Sequence, residues 1–183
     1  MILYSALVLG LIVLVYSLLT YNTFIKLKNS VKEAFSTMDV YLKKRWDLIP
    51  NLVEAVKKYA KHERGVLESV VSLRKMSYDK MSSEDKINAN EKLTAGLSKL
   101  IAVAENYPDL KASQNFMDLN SQLTKIEDDI ANARKYYNAV VKKMNTKVEM
   151  VPSNIIAKLF DFQQSPMFEV QSGERDSIKV DFE

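Results

Sequence analysis

Apolar side chains are distributed in three ways along the chain. From Ile2 to Leu19 they form a nearly unbroken run, interrupted by Ser5, Gly10 and Ser17, and the first charged side chain is Lys26. At about 1.5 Å per residue, the uncharged stretch 2–25 reaches about 36 Å as a helix, more than a hydrocarbon core of roughly 30 Å requires. It is therefore predicted to be a membrane-spanning anchor in contact with the lipid bilayer. A cleaved signal peptide would need a basic leader, a shorter apolar core and a small-x-small cleavage site. None of these is found in residues 1–25, and without cysteine there is no acylated lipoprotein anchor.

Beyond Ile25 the spacing changes to three and four. Phe24, Leu27, Val31, Ala34, Met38, Leu42, Trp46 and Ile49 form one helical stripe with Lys and Glu between them, so one helix is expected to leave the membrane without a break. Pro50 lacks an N–H and disfavours helical geometry before it, which predicts a helix end within Asp47–Ile49 and a second helix starting at Pro50. That second helix carries Leu52, Val56, Tyr59, Val66, Val70 and Leu73 and should reach Met76. Ser77–Ser83 reads as a loop, with Ser82 and Asp85 spaced as a helix N-terminal cap. Leu93, Leu97, Leu100 and Ala104 mark a third helix ended by Pro108.

The third pattern is the most regular. Ala112, Phe116, Leu119, Leu123, Ile126, Ile130, Ala133, Tyr137, Val140 and Met144 alternate steps of four and three, a coiled-coil-like seam along a helix from Leu110 to Val148 about 58 Å long. Pro152 closes it, and Ser153 is placed to cap a short helix through Phe160. The predicted class is all-α, an N-terminal transmembrane helix continuing into an antiparallel up-and-down four-helix bundle. Its segments are 1–25 (anchor), 26–150 (bundle), 151–170 (short helix and apolar segment) and 171–183 (a disordered tail).

In this topology the Pro50 turn and the Asn106–Pro108 turn share the membrane-distal end, roughly 40 Å from the bilayer at about 26 residues per helix. The Ser77–Ser83 loop and the C-terminal segment return toward lipid. There Ile155, Ile156, Leu159, Phe160 and Phe162 either cap the bundle core or rest on the bilayer interface beside Lys158, the core cap being the favoured reading.

Composition narrows the functional classes. Four Gly and four Pro in 183 residues fit a helical protein with few turns, and a net charge of +3 without a basic face argues against nucleic acid. Lys26, Lys28, Lys32, Lys43, Lys44 and Arg45 follow the span while no basic side chain precedes it. The positive-inside tendency thus predicts a cytoplasmic bundle.

Two long stretches resemble the signature of the LemA family: Tyr41-Leu42-Lys43-Lys44-Arg45-Trp46-Asp47-Leu48-Ile49-Pro50-Asn51-Leu52-Val53 with Lys57–Glu63 following, and Ala104-Glu105-Asn106-Tyr107-Pro108-Asp109-Leu110-Lys111-Ala112. Ile130–Asn138 resembles it too, and Trp46 is the one departure noted. The resemblance covers the chain through about Phe168. It implies a bacterial single-pass membrane protein with a four-helix domain, and it implies no established activity and hence no catalytic residues.

The residues themselves offer little chemistry. His62 is the single histidine, so neither a zincin pair nor a di-iron set is available. Glu127-Asp128-Asp129 reads as a solvated helix face more readily than as a cation site, and no Ser lies in a Gly-x-Ser-x-Gly elbow. No catalytic residue, cofactor or metal is predicted. Arg45, Trp46, Asp47, Asn51, Asn106, Tyr107 and Asp109 are the candidate partner-docking residues at the distal end, against the plainer reading that the polar ones cap helices. An interaction or scaffold module that binds another protein is the favoured function, with a ligand-binding or enzymatic bundle built around a polar pocket as the alternative. Homo-oligomerisation stays open.

Overall fold

In a computed structural model, residues 1–73 and 77–168 are described; the expected helix end at Met76 and the tail 171–183 lie outside them. The chain is all-α over the described residues. Helices α1 (Ile2–Tyr59), α2 (Arg64–Ser72), α3 (Ser83–Glu105), α4 (Pro108–Lys111), α5 (Gln114–Glu149) and α6 (Ser153–Leu159) follow in order, with a 3₁₀ turn at Tyr78–Lys80.

The largest difference from expectation is that Pro50 lies inside α1, which continues to Tyr59. A proline in a helix interior costs about 3 kcal/mol or more through its missing N–H and its ring clash. Trp46, Ile49, Leu52, Val53 and Val56 are all buried on one stripe that runs across it, and each such side chain contributes about 1.5–3 kcal/mol. Burial therefore outweighs the proline. The turn falls instead at Ala60–Glu63, where the N–H of Ala60 closes the helix on Val56 and that of Glu63 bonds the carbonyl of Ala60. The predicted second helix is thus the end of α1 plus the short α2, and Tyr59, expected on the seam, is 43% exposed while Ala60 is buried.

Helices α1 and α5 are antiparallel. Arg45 meets Glu127, Phe35 meets Tyr137 at 5.8 Å, and Phe24 shares a core cluster with Met144. The α5 seam is buried at Phe116, Leu119, Leu123, Ile130, Tyr137, Val140 and Met144; Ala112 lies before the helix and is exposed. Helices α2 and α3 complete the bundle only in its outer half. Tyr78 donates to Asp39 at 2.6 Å and Lys86 to the same carboxylate at 2.7 Å, so the loop before α3 stops level with Asp39, about 20 Å above Lys26. The Ser82 hydroxyl accepts from the N–H of Asp85, whose carboxylate returns to the N–H of Ser82, a complete capping box.

Below Asp39 the third wall is the C-terminal segment. After α6 the chain reverses and residues 162–168 run along α5 in extended form. Asn145 donates to the carbonyl of Ser165 and accepts its N–H, both at 2.9 Å. Asn138 does the same with Phe168, at 2.9 and 3.0 Å. Seven helical residues advance about 10.5 Å and three extended ones about 10 Å, so the two asparagines match the strap's repeat. Between them the Tyr137 hydroxyl donates to the carbonyl of Pro166 at 2.9 Å, and burial raises that phenol's pKa.

Candidate interaction surfaces

Because α1 does not turn at Pro50, the seven sequence-predicted docking residues separate into two groups. Arg45, Trp46, Asp47 and Asn51 sit along α1, about 12–21 Å short of its distal end. Asn106, Tyr107 and Asp109 occupy that end, where α3 passes into α4.

Arg45 faces inward. Its side chain is 1% exposed, and its Nη1 donates to Glu127 Oε1 at 2.6 Å and to Thr94 Oγ1 at 3.0 Å. Nη2 donates to the carbonyl of Asn90 at 2.7 Å and also to its side-chain oxygen. Burial pulls the guanidinium pKa below its ordinary value, opposed by the adjacent Glu127 charge. Glu127, read from sequence as part of a solvated acidic face, is thus the counter-ion of a buried cation. Trp46 is buried and tilted against Tyr78 at 5.4 Å between centroids. Burial, then the bond to Asp39, push the Tyr78 phenol far above its usual pKa. Asp47 is exposed and paired with Lys43 at 2.8 Å, and Asn51 is exposed.

At the distal end Asn106 is the C-cap of α3 and Asp109 stands in the first turn of α4, both exposed. Half-buried Tyr107 donates to Glu63 at 3.4 Å and ties the α3–α4 corner to the α1–α2 turn. Its pKa is raised by partial burial and then by Glu63. His62 in that turn is exposed. Among the described residues no three His, Cys, Asp or Glu side chains gather as a metal-binding group.

Two clefts flank these elements. A groove of about 1350 Å³ lies between the end of α1 and α2, lined by the apolar Val53, Leu67 and Val71, the basic Lys57, Lys58, Lys61 and Arg64, and the acidic Glu54 and Glu68. Lys57, Lys58, Lys61 and Arg64 stand close together in the sequence, but their placement at a bundle tip depends on helix continuity. The second cleft, about 620 Å³, lies between α1 at Lys28–Ser36 and the strap. Helix α1 has a stretch near its N-terminus long and apolar enough to cross a membrane, and the rest of the chain covers none of that window.

The LemA family model matches residues 34–182, from the level of the strap to the bundle tip and back. The chain belongs to the LemA family. It is 23% identical to Protein LemA of Metamycoplasma hominis over 161 residues, 87% of this chain and 73% of that relative. It is likewise 23% identical to Magnetosome protein MamQ 2 of Paramagnetospirillum magneticum, over 83% of this chain and 65% of the relative, and to Magnetosome protein MamQ of Magnetospirillum gryphiswaldense, over 88% and 69%. The chain thus spans just under two thirds of MamQ 2 and somewhat more of the other two. None of these names denotes an enzyme. The buried Arg45, the Tyr107 corner and the Asn138 strap contact all lie inside the LemA match, whereas Ile2–Glu33 lies before it.

Proposed function

We propose that this LemA-family chain is a membrane-anchored interaction module whose bundle tip docks an acidic segment of a partner protein. The observation that carries the reading is the distal groove, lined by three apolar side chains, four basic ones and two acidic ones. Charge complementarity of this kind steers encounter and sets register, while the apolar lining supplies burial. Lys57 pairs with Glu54 at 3.3 Å, but both side chains are over 60% exposed, so that pair holds the lysine weakly. Asn106, Tyr107 and Asp109 adjoin the groove through the Tyr107–Glu63 contact and extend the docking face. Helix α1 carries this tip about 50 Å beyond Lys26, further than a turn at Pro50 would allow. The competing reading, a ligand-binding or enzymatic bundle, would draw on the Arg45 cluster, where Nη1 and Nη2 are engaged by Thr94, Glu127 and Asn90 and Nε alone of the guanidinium nitrogens has no hydrogen-bond partner.

Photoreactive residues at Lys61 and Val71, in cells, should capture a protein that the same residue at exposed Lys135 on α5 does not. Lys57→Glu with Arg64→Glu should abolish the capture. Capture that survives the charge reversal, or is equal from Lys135, would overturn tip docking.

The basic residues that follow the span support a cytoplasmic bundle. With Arg45 neutralised inside the fold, Lys26, Lys28, Lys32, Lys43 and Lys44 still give the asymmetry. A reporter that works only in the cytoplasm should be active when fused after Glu183; activity of an export-dependent reporter there would reverse the orientation.

A further inference from the structure

We infer that α6 is a second membrane contact, with its outer edge seated at the acyl–headgroup boundary of an anionic bilayer. The helix has two sides. Ile156 and Ala157 are buried in the base of the bundle, and the Ser153 hydroxyl donates to the carbonyls of Lys147 and Met150 at 2.7 and 2.9 Å. Ile155, Leu159 and Phe160 face outward at 63, 72 and 51% exposure. Large apolar side chains left uncovered beside a candidate span have an occupant supplied by geometry.

The level of α6 identifies that occupant as lipid. Phe160 meets Tyr21 edge-on at 4.8 Å and the following Phe162 stacks on Phe24 at 4.7 Å. Tyr21 precedes the first charge, Lys26, by five residues, so this contact lies about 7 Å on the lipid side of it. The bundle begins to cover α1 at Thr20, which is 4% exposed. The uncovered apolar cylinder is therefore Ile2–Leu19, about 27 Å long, against a hydrocarbon core of roughly 30 Å. An apolar slab of that thickness reaches the level of Tyr21, where Phe160 and Leu159 stand. Exposed Lys158 projects from the same helix, and a cation beside apolar anchors at this depth favours anionic headgroups. Two contacts, the span and α6, fix the direction in which the bundle leaves the membrane.

The proposal rests on residues 2–19 spanning the bilayer, so the test carries a separate marker for the span. The chain has no cysteine, and the full-length protein can be spin-labelled at Ile155→Cys, Leu159→Cys, Leu9→Cys in the span or Lys99→Cys on the exposed side of α3. In phosphatidylcholine–phosphatidylglycerol vesicles, the ratio of oxygen to nickel-chelate accessibility is expected to be several-fold higher at 155 and 159 than at 99, and highest at 9. Replacing phosphatidylglycerol by phosphatidylcholine should lower the ratio at 155 and 159 and leave that at 9 unchanged. Ratios at 155 and 159 equal to that at 99, with 9 still oxygen-favoured, would overturn the α6 seat alone. A chelate-accessible label at 9 would overturn the span and the seat together, and ratios insensitive to phosphatidylglycerol would overturn the anionic preference. The labelled side chains are exposed, and unchanged helical circular dichroism confirms that each variant is folded.

Discussion

Glu127→Ala is expected to destabilise the bundle by about 3–5 kcal/mol, the range found when one partner of a buried ion pair is removed. The asymmetry of the pair sets the direction. Arg45 is 1% exposed and Glu127 39%, so deleting the carboxylate leaves an inward-facing cation without its counter-ion, with Asn90 and Thr94 as neutral partners. Deleting the cation instead frees a carboxylate that can hydrate. Arg45→Met, which keeps apolar volume, should therefore cost less, about 1–2 kcal/mol, chiefly for the lost hydrogen bonds of Asn90 and Thr94. Urea unfolding of the full chain in detergent can be followed by the single tryptophan, Trp46, which packs on Tyr78 one residue from the site. An Arg45→Met variant less stable than Glu127→Ala would show that the pair is not organised around the buried charge.

Sequence and structure agree where neighbours in the chain determine the outcome. The uncharged run forms an unbroken helix, Ser82 and Asp85 form a capping box, and the four-three alternation from Phe116 to Met144 forms the core-facing side of α5, with Ile126 and Ala133 half-buried and Ala112 outside the helix. Pro50 does not end α1, because its helix-breaking tendency is local, whereas the stripe that overrides it is buried by elements dozens of residues away. Continuity through Pro50 moves the bundle tip from residue 50 to residues 60–63 and separates Arg45 to Asn51 from Asn106 to Asp109. Arg45 itself looked like one charge in the Lys43-Lys44-Arg45 cluster. Its position carried a signal, since it lies seven residues after buried Met38 and seven before buried Leu52, a heptad register in which a charge demands a buried partner. Asn138 and Asn145 have the same spacing. A pair of asparagines seven apart beside the seam residues Tyr137 and Met144 marks where extended backbone can dock, but only the fold shows that residues 165–168 supply it.

Leu123→Ala tests the α5 seam by a cost with a different origin. Leu123 is 7% exposed within the main core, so truncation removes buried methyl groups and leaves a cavity that the long rigid helices cannot close. The expected loss is about 2–5 kcal/mol, a large share of the roughly 5–15 kcal/mol that keeps a domain folded. Lys125, two residues on, is exposed, and Lys125→Ala should change stability by less than about 0.5 kcal/mol. The same Trp46 fluorescence reports both, because α1 carries the probe and packs along the whole seam. Equal and small shifts for the two variants would mean that α5 does not bury this face. If Leu123→Ala alone lowers the midpoint with an unchanged urea slope, the loss is one of packing within an intact two-state bundle.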